Sequence, residues 1–137
     1  MSTLVIDTIQ GKTTAGSINV RGEGSNNTNL QQGLTKAWAG IDAAANLEGS
    51  FNISSSDDDA DGNYGLNFAT NMSNANYSSV NTVEMAHNGT SQNPRYTVTN
   101  SRTTSSVEID SSYINSSSVF IFYDGGDVGV QVNGDLA

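Results

Sequence analysis

Polar and apolar positions alternate over much of the second half of the chain. In "YGLNF", Tyr64, Leu66 and Phe68 point one way and Gly65 and Asn67 the other, the period of two of a half-buried strand. In "SFNIS", Phe51 and Ile53 likewise share a face. The stretches "NYSSVNTVEMA", "PRYTVTN", "SSVEID", "SVFIFY" and "VGVQVNG" follow at short spacing, separated by residues that turns favour. The pattern predicts an antiparallel β-sandwich over residues 48–137. "VFIFY" does not alternate, so both its faces should be covered, one of them by a second subunit. "YDGGDV" should join the last two strands as a tight hairpin, its Gly-Gly pair supplying the turn.

The first half reads differently. "TLVIDTI" and "GSINVRG" have the look of two short strands, and "EGSNNTN" then breaks regular structure. In residues 29–47, Leu30, Leu34, Trp38 and Ile41 recur at steps of four, four and three, which places them on one face of a helix. Gly33 and Gly40 weaken that helix by about 1 kcal/mol each, so a short one held by packing is expected. Trp38 would be its buried anchor, covered by neighbouring subunits if it lies at a symmetry axis. The chain thus divides into an N-terminal β segment (1–28), a short helical neck (29–47) and a C-terminal β domain (48–137).

Composition adds a constraint on stability. Only 35% of the 137 residues are hydrophobic and 14% are charged, while Ser, Thr and Asn fill over a third of the chain. These short polar side chains compete for backbone hydrogen bonds and favour turns and strand surfaces over helix interiors. One copy would bury a thin core, a shortage that oligomerisation commonly relieves. There is no cysteine, hence no disulfide framework and no thiolate chemistry. With a net charge of −9 and only five Lys or Arg, the chain is not expected to bind nucleic acid or an anionic membrane. "MSTLVIDTIQGK" carries Asp7 inside its apolar run and no basic stretch before it, so neither a signal peptide nor a membrane span is expected there. Six Asn-x-Ser/Thr sequons, at Asn26, Asn52, Asn71, Asn76, Asn88 and Asn115, follow from the composition rather than marking a glycosylated ectodomain.

Candidate chemistry is sparse. "DDDADGNYG" offers Asp57, Asp59, Asp61 and Gly62 at the opening positions of an EF-hand loop, but the twelfth position is Phe68, which cannot ligate. A solvated hairpin tip is the better account, with a weak surface calcium site left open. His87 is the only histidine. No nucleophile elbow, phosphate loop or zinc helix occurs. Asp42, Glu48, Glu84, Glu108 and Asp110 could supply paired carboxylates, but nothing selects a pair. No catalytic, cofactor-binding or metal-ligating residue is nominated, and no enzyme activity or cofactor is expected. Tyr64, Tyr77, Tyr96, Tyr113 and Tyr123 are amphipathic rings suited to carbohydrate, although half-buried sheet tyrosines are the simpler reading.

"TLVIDTIQGKTTAGSINVRGEG" followed by "LQQGLTKAWAGID" resembles the start of short bacteriophage tail-fibre proteins of the cyanophage and aquatic-phage type. "SFNISS", a polar turn with Gly-x-Tyr, "NFATNMSNANYSSV" and the closing "VQVNGDLA" resemble later parts of the same class, so the likeness runs along most of the chain. The acidic turn and the fuller terminal hairpin depart from it. The resemblance implies a virion protein that assembles as a homotrimer. Residues 1–28 would attach to a tail or baseplate protein, and the β domain would present an adhesion surface to a host cell-surface receptor, a glycan among the candidates. The implied location is the phage tail, after synthesis in the host cytoplasm. A capsid-decoration or head-fibre protein is the alternative, and a carbohydrate-binding module a more distant one.

Overall fold

Strands dominate the computed structural model, which describes residues 3–11, 18–21, 25–84, 94–124 and 126–136, the side chains of Gln31 and Gln32 excepted. The protein is mainly β, and its sheets are antiparallel. One sheet contains β3 (Thr35–Ile41), β4 (Leu47–Phe51), β7 (Ser78–Val83) and β11 (Val128–Asn133), in the order β4-β3-β11-β7. The other contains β5 (Ile53–Ala60), β6 (Asn63–Phe68), β8 (Arg95–Arg102), β9 (Ser106–Ile114) and β10 (Phe120–Phe122). A short ribbon of β1 (Asn19–Arg21) and β2 (Asn27–Asn29) precedes them, followed by one helical turn, α1 (Leu30–Gly33).

β9 organises the five-stranded sheet. β8 pairs along it from Val107 to Tyr113, so β6, which pairs at residues 106–110, and β10, at 112–114, must share the opposite edge end to end. The handover falls at Gly62 and Ser111. The Ser111 amide donates to the Gly62 carbonyl at 2.6 Å, and the Tyr123 amide donates to the Ser111 carbonyl at 3.2 Å. The Gly62 amide donates in turn to an Asp124 carboxylate oxygen.

Both sheets contribute to a single buried cluster. Ala37, Ala39 and Ile41 of β3 and Val128, Val130 and Val132 of β11 meet Tyr64, Leu66 and Phe68 of β6 and Val107 and Ile109 of β9 there, with Met72 and Tyr77. The cluster combines the large side chains of β6 with the small alanines of β3, the kind of pairing that lets facing layers interdigitate. Phe68 and Tyr77 complete it edge to face, with ring centres 5.7 Å apart.

The chain passes from one sheet to the other at Asn52. Asn52 takes a positive φ of 57°, a conformation Asn tolerates better than most residues. Its side-chain amide donates to the carbonyls of Lys36 and Thr70, both at 3.0 Å, and its side-chain oxygen accepts from the Thr70 amide at 2.7 Å. A glycan on that nitrogen would replace one of its two N–H donors and so remove one of these bonds. Asn52→Ala loses three hydrogen bonds and strains the backbone. We expect it to cost about 2 kcal/mol of unfolding free energy by urea titration; a cost under about 0.5 kcal/mol would show that the corner is held elsewhere.

Several expectations need correction. The helix over 29–47 is absent: α1 is one turn, and Thr35–Ile41 is a strand whose core-facing residues are Ala37, Ala39 and Ile41. Trp38 therefore points away from the core and is 45% exposed in the single chain, and Leu34 is exposed as well. "SFNIS" is not one strand but the end of β4, the Asn52 corner and the start of β5, so Phe51 faces out while Ile53 packs against the core. "TLVIDTI" forms no strand; β1 pairs instead with β2, inside the stretch read as irregular. "YDGGDV" is no hairpin, because β10 and β11 belong to different sheets. In "VFIFY", Phe120 and Phe122 are each 51% exposed, so their outer face is uncovered in the single chain.

Candidate interaction surface

The outer face of the four-stranded sheet is assembled by register. Phe51, Trp38, Gln131 and Val80 lie directly opposite one another across β4, β3, β11 and β7. One pleat along, Gly49, Gly40, Gly129 and Thr82 form a parallel row. The Trp38 ring lies over Gly49, since a Cβ there would stand 3.4 Å from the ring atom Cζ3. Above Gly40 there is open space. The result is a smooth floor flanked by Trp38 and Phe51, and neither row contains a charged residue. In a chain of net charge −9, it is a surface that a like-charged copy can approach without bringing carboxylates together.

The outer face of the five-stranded sheet is split. At one end Tyr96, Phe120 and Phe122 cluster, with ring centres 6.3 Å (Tyr96–Phe120) and 5.8 Å (Phe120–Phe122) apart, and Ile114 and Val98 are exposed beside them. At the other end Asp57 and Glu108 stand on either side of Gly65 in register. Asp59 reaches to 3.3 Å of where a Gly65 Cβ would be. Asp110 accepts from the Asn63 side-chain amide at 2.6 Å, and Asp57 from that of Asn67 at 2.6 Å.

This arrangement answers the calcium question in part. Asp57, Asp58 and Asp59 lie on an extended strand, not on a loop that curls round an ion, and only Asp61 and Gly62 form the turn. The predicted nine-residue polar tip is thus mostly strand. Among the described residues no group of three or more His, Cys, Asp or Glu is placed to hold a metal ion. β5 is an edge strand, and a run of charge on a free edge discourages pairing with another sheet.

The other nominated side chains scatter. Asp42 caps the β3–β4 turn, accepting from the Ala44 and Asn46 amides at 2.9 and 2.8 Å and from the Asn46 side chain at 2.9 Å. The Asn46 side-chain and backbone donors hold its carboxyl below the usual range. Glu84 closes the end of β7 against Asp127 through its backbone. Only Glu108 and Asp110 share a face, as neighbours on β9. His87 lies outside the described residues. Tyr64 and Tyr77 are buried, which leaves Tyr96 and Tyr123 as the exposed tyrosines and Tyr113 half-buried. Sequence reasoning missed Phe51, Phe120 and Phe122 as surface residues, and the unbroken apolar run at residues 119–123 offered no alternation that could have found the last two.

No family model, curated protein or solved structure matches the chain. No helix among the described residues is long and apolar enough to cross a membrane.

Proposed function

We propose that this protein is a non-catalytic protomer of a bacteriophage tail fibre, a β-sandwich that assembles as a homotrimer and presents an adhesion surface to the host cell. The observation that carries the self-assembly is the uncharged outer face bearing Trp38, Phe51 and Val80. Set against a three-fold axis, that face would bring three Trp38 rings together and cover the surface one copy leaves wet. The aromatic end of the five-stranded sheet would then stay outside and supply the adhesion surface.

The N-terminal segment supports attachment to a second protein. Leu4 and Val5 are 79% and 87% exposed, and Ile6 and Ile9 are exposed too, so this apolar run has no partner within the described chain. An extended segment of this kind can add to another protein's sheet edge. The likeness to short tail-fibre proteins supplies the virion, the receptor and the number three.

Gold-labelled antibody against this chain tests the assignment on intact particles. Label on the tail, lost when residues 1–28 are deleted, is the expected result. Label on the head would make the protein a capsid decoration, and unlabelled particles would end the virion reading.

A further inference from the structure

On the outer face of the five-stranded sheet, exposed aromatic rings border directly on carboxylates. Tyr96 and Phe122 flank Ser112 in one row across β8, β9 and β10, and Phe120 stands one row beyond. The three rings are exposed, whereas Ser112 between them is only 3% exposed, because the rings lean together over β9. Two residues back along β9, about 7 Å away, Asp110 occupies the next row of this face between Val98 and Asn63. Its Oδ1 accepts from the Asn63 side chain at 2.6 Å, and a carboxylate has acceptor capacity left after one such bond. Glu108, Asp57 and Asp59 continue the face around Gly65. Among the described residues no Lys or Arg stands in these rows. Arg95 lies on the other side of the sheet, opposite Tyr113, with its guanidinium against the Tyr113 and Tyr123 rings.

We propose that Tyr96, Phe122 and Asp110 form a docking site for a lysine side chain of a partner protein. Rings alone would suit an apolar ligand, and carboxylates alone a bare cation. Side by side they match a positive charge carried on an apolar stem. The four-carbon stem of lysine can lie along the rings, whose faces attract cations, and carry its ammonium on to Asp110. Because Asn63 already holds Oδ1, the carboxylate suits a point charge better than the two-pronged fork of arginine. The uncompensated negative charge of the face, in a chain of net charge −9, draws a cationic partner in and turns acidic ones away. The inference deepens the adhesion reading and rests on it in one respect, that this end of the sheet stays uncovered in the assembly.

NMR titration of the full-length protein with Nα-acetyl-lysine methylamide tests it, beside the uncharged norleucine analogue and the arginine analogue at matched ionic strength. The chain has four phenylalanines, and the ring signals missing from Phe122→Leu identify Phe122. Those signals should move and saturate with the lysine compound and respond more weakly to norleucine, which keeps the stem without the charge. Asp110→Asn keeps an oxygen for the Asn63 bond but loses the charge. It should lower the lysine affinity about threefold and leave the norleucine affinity unchanged. Phe122→Leu should weaken both. Ring signals that ignore lysine, norleucine binding as tightly as lysine, or an unchanged lysine affinity in Asp110→Asn would each overturn the proposal. Tighter binding of the arginine compound would overturn it in favour of a guanidinium partner. The two readings fail separately: unlabelled particles would end the virion assignment without touching the lysine titration, and a failed titration would leave a labelled tail in place.

Discussion

Gly62→Ala should be the most damaging single substitution in the β domain, with an expected loss of about 4 kcal/mol or outright failure to fold. Gly62 adopts a φ of +71°, where an L side chain is strained by roughly 1–2 kcal/mol before any contact is considered. The larger penalty is steric. A Cβ at this position would sit 2.2 Å from the Ser111 carbonyl oxygen and 2.6 Å from the Tyr123 amide nitrogen. Both are backbone atoms of the junction where β6 hands the edge of β9 to β10, so no side chain can swing away to relieve the clash. Relief means breaking the Ser111-to-Gly62 bond and the Tyr123-to-Ser111 bond, and with them the seating of β10. Gly33→Ala is the control, because a Cβ there meets nothing within 4 Å and α1 tolerates alanine; it should be neutral or mildly stabilising. Urea titration followed by circular dichroism reads both, and a Gly62→Ala loss below about 1 kcal/mol would show that the junction yields.

Strong alkali should remove a comparable amount. Tyr64 and Tyr77 are 0% and 4% exposed, and burial pushes both phenols from their usual 10.0 up to about 12, with Asp124 and Asp58 adding to the shift at Tyr64. The folded state thus keeps two protons that the unfolded chain releases near pH 10. Stability is fully present below pH 10 and falls as the pH rises toward 12, where the folded phenols ionise too. The loss is roughly 2–3 kcal/mol per ring. The midpoint of urea unfolding should be flat from pH 8 to pH 9.5 and then drop steeply. The Tyr64→Phe, Tyr77→Phe double variant should flatten that drop, although it gives up the 2.7 Å bond from the Tyr77 hydroxyl to the Ser106 carbonyl. An equally steep fall in the double variant would place the alkaline weakness elsewhere.

Much of the β domain was legible because alternation and burial coincide. Tyr64, Leu66 and Phe68 alternate and are buried together, as are Val128, Val130 and Val132 in "VGVQVNG". The misread segment, 29–47, satisfies two periods at once. Leu30, Leu34, Trp38 and Ile41 fit a helix, whereas Ala37, Ala39 and Ile41 fit a strand, and Ile41 belongs to both. Large side chains made the helical pattern conspicuous, while the true inner face is mostly alanine. The same substitution of small for large hid the interaction face, since Gly49, Gly40 and Gly129 have no side chain to announce it and line up only once three strands are in register. Asn52 was invisible for another reason: an Asn in "SFNIS" reads as a polar strand position until its φ and its bonds to Lys36 and Thr70 are seen.

The account rests on copies of this chain packing through the uncharged face of the four-stranded sheet, and sedimentation equilibrium of the parent beside a Trp38→Ser, Phe51→Ser variant tests that most directly. Both side chains are about half exposed in the single chain, so the variant should keep the parent's circular dichroism spectrum while losing its oligomer. The parent is predicted to sediment at three times 14.3 kDa and the variant at 14.3 kDa. A parent that sediments as a folded monomer, or a variant that remains a trimer, would contradict it.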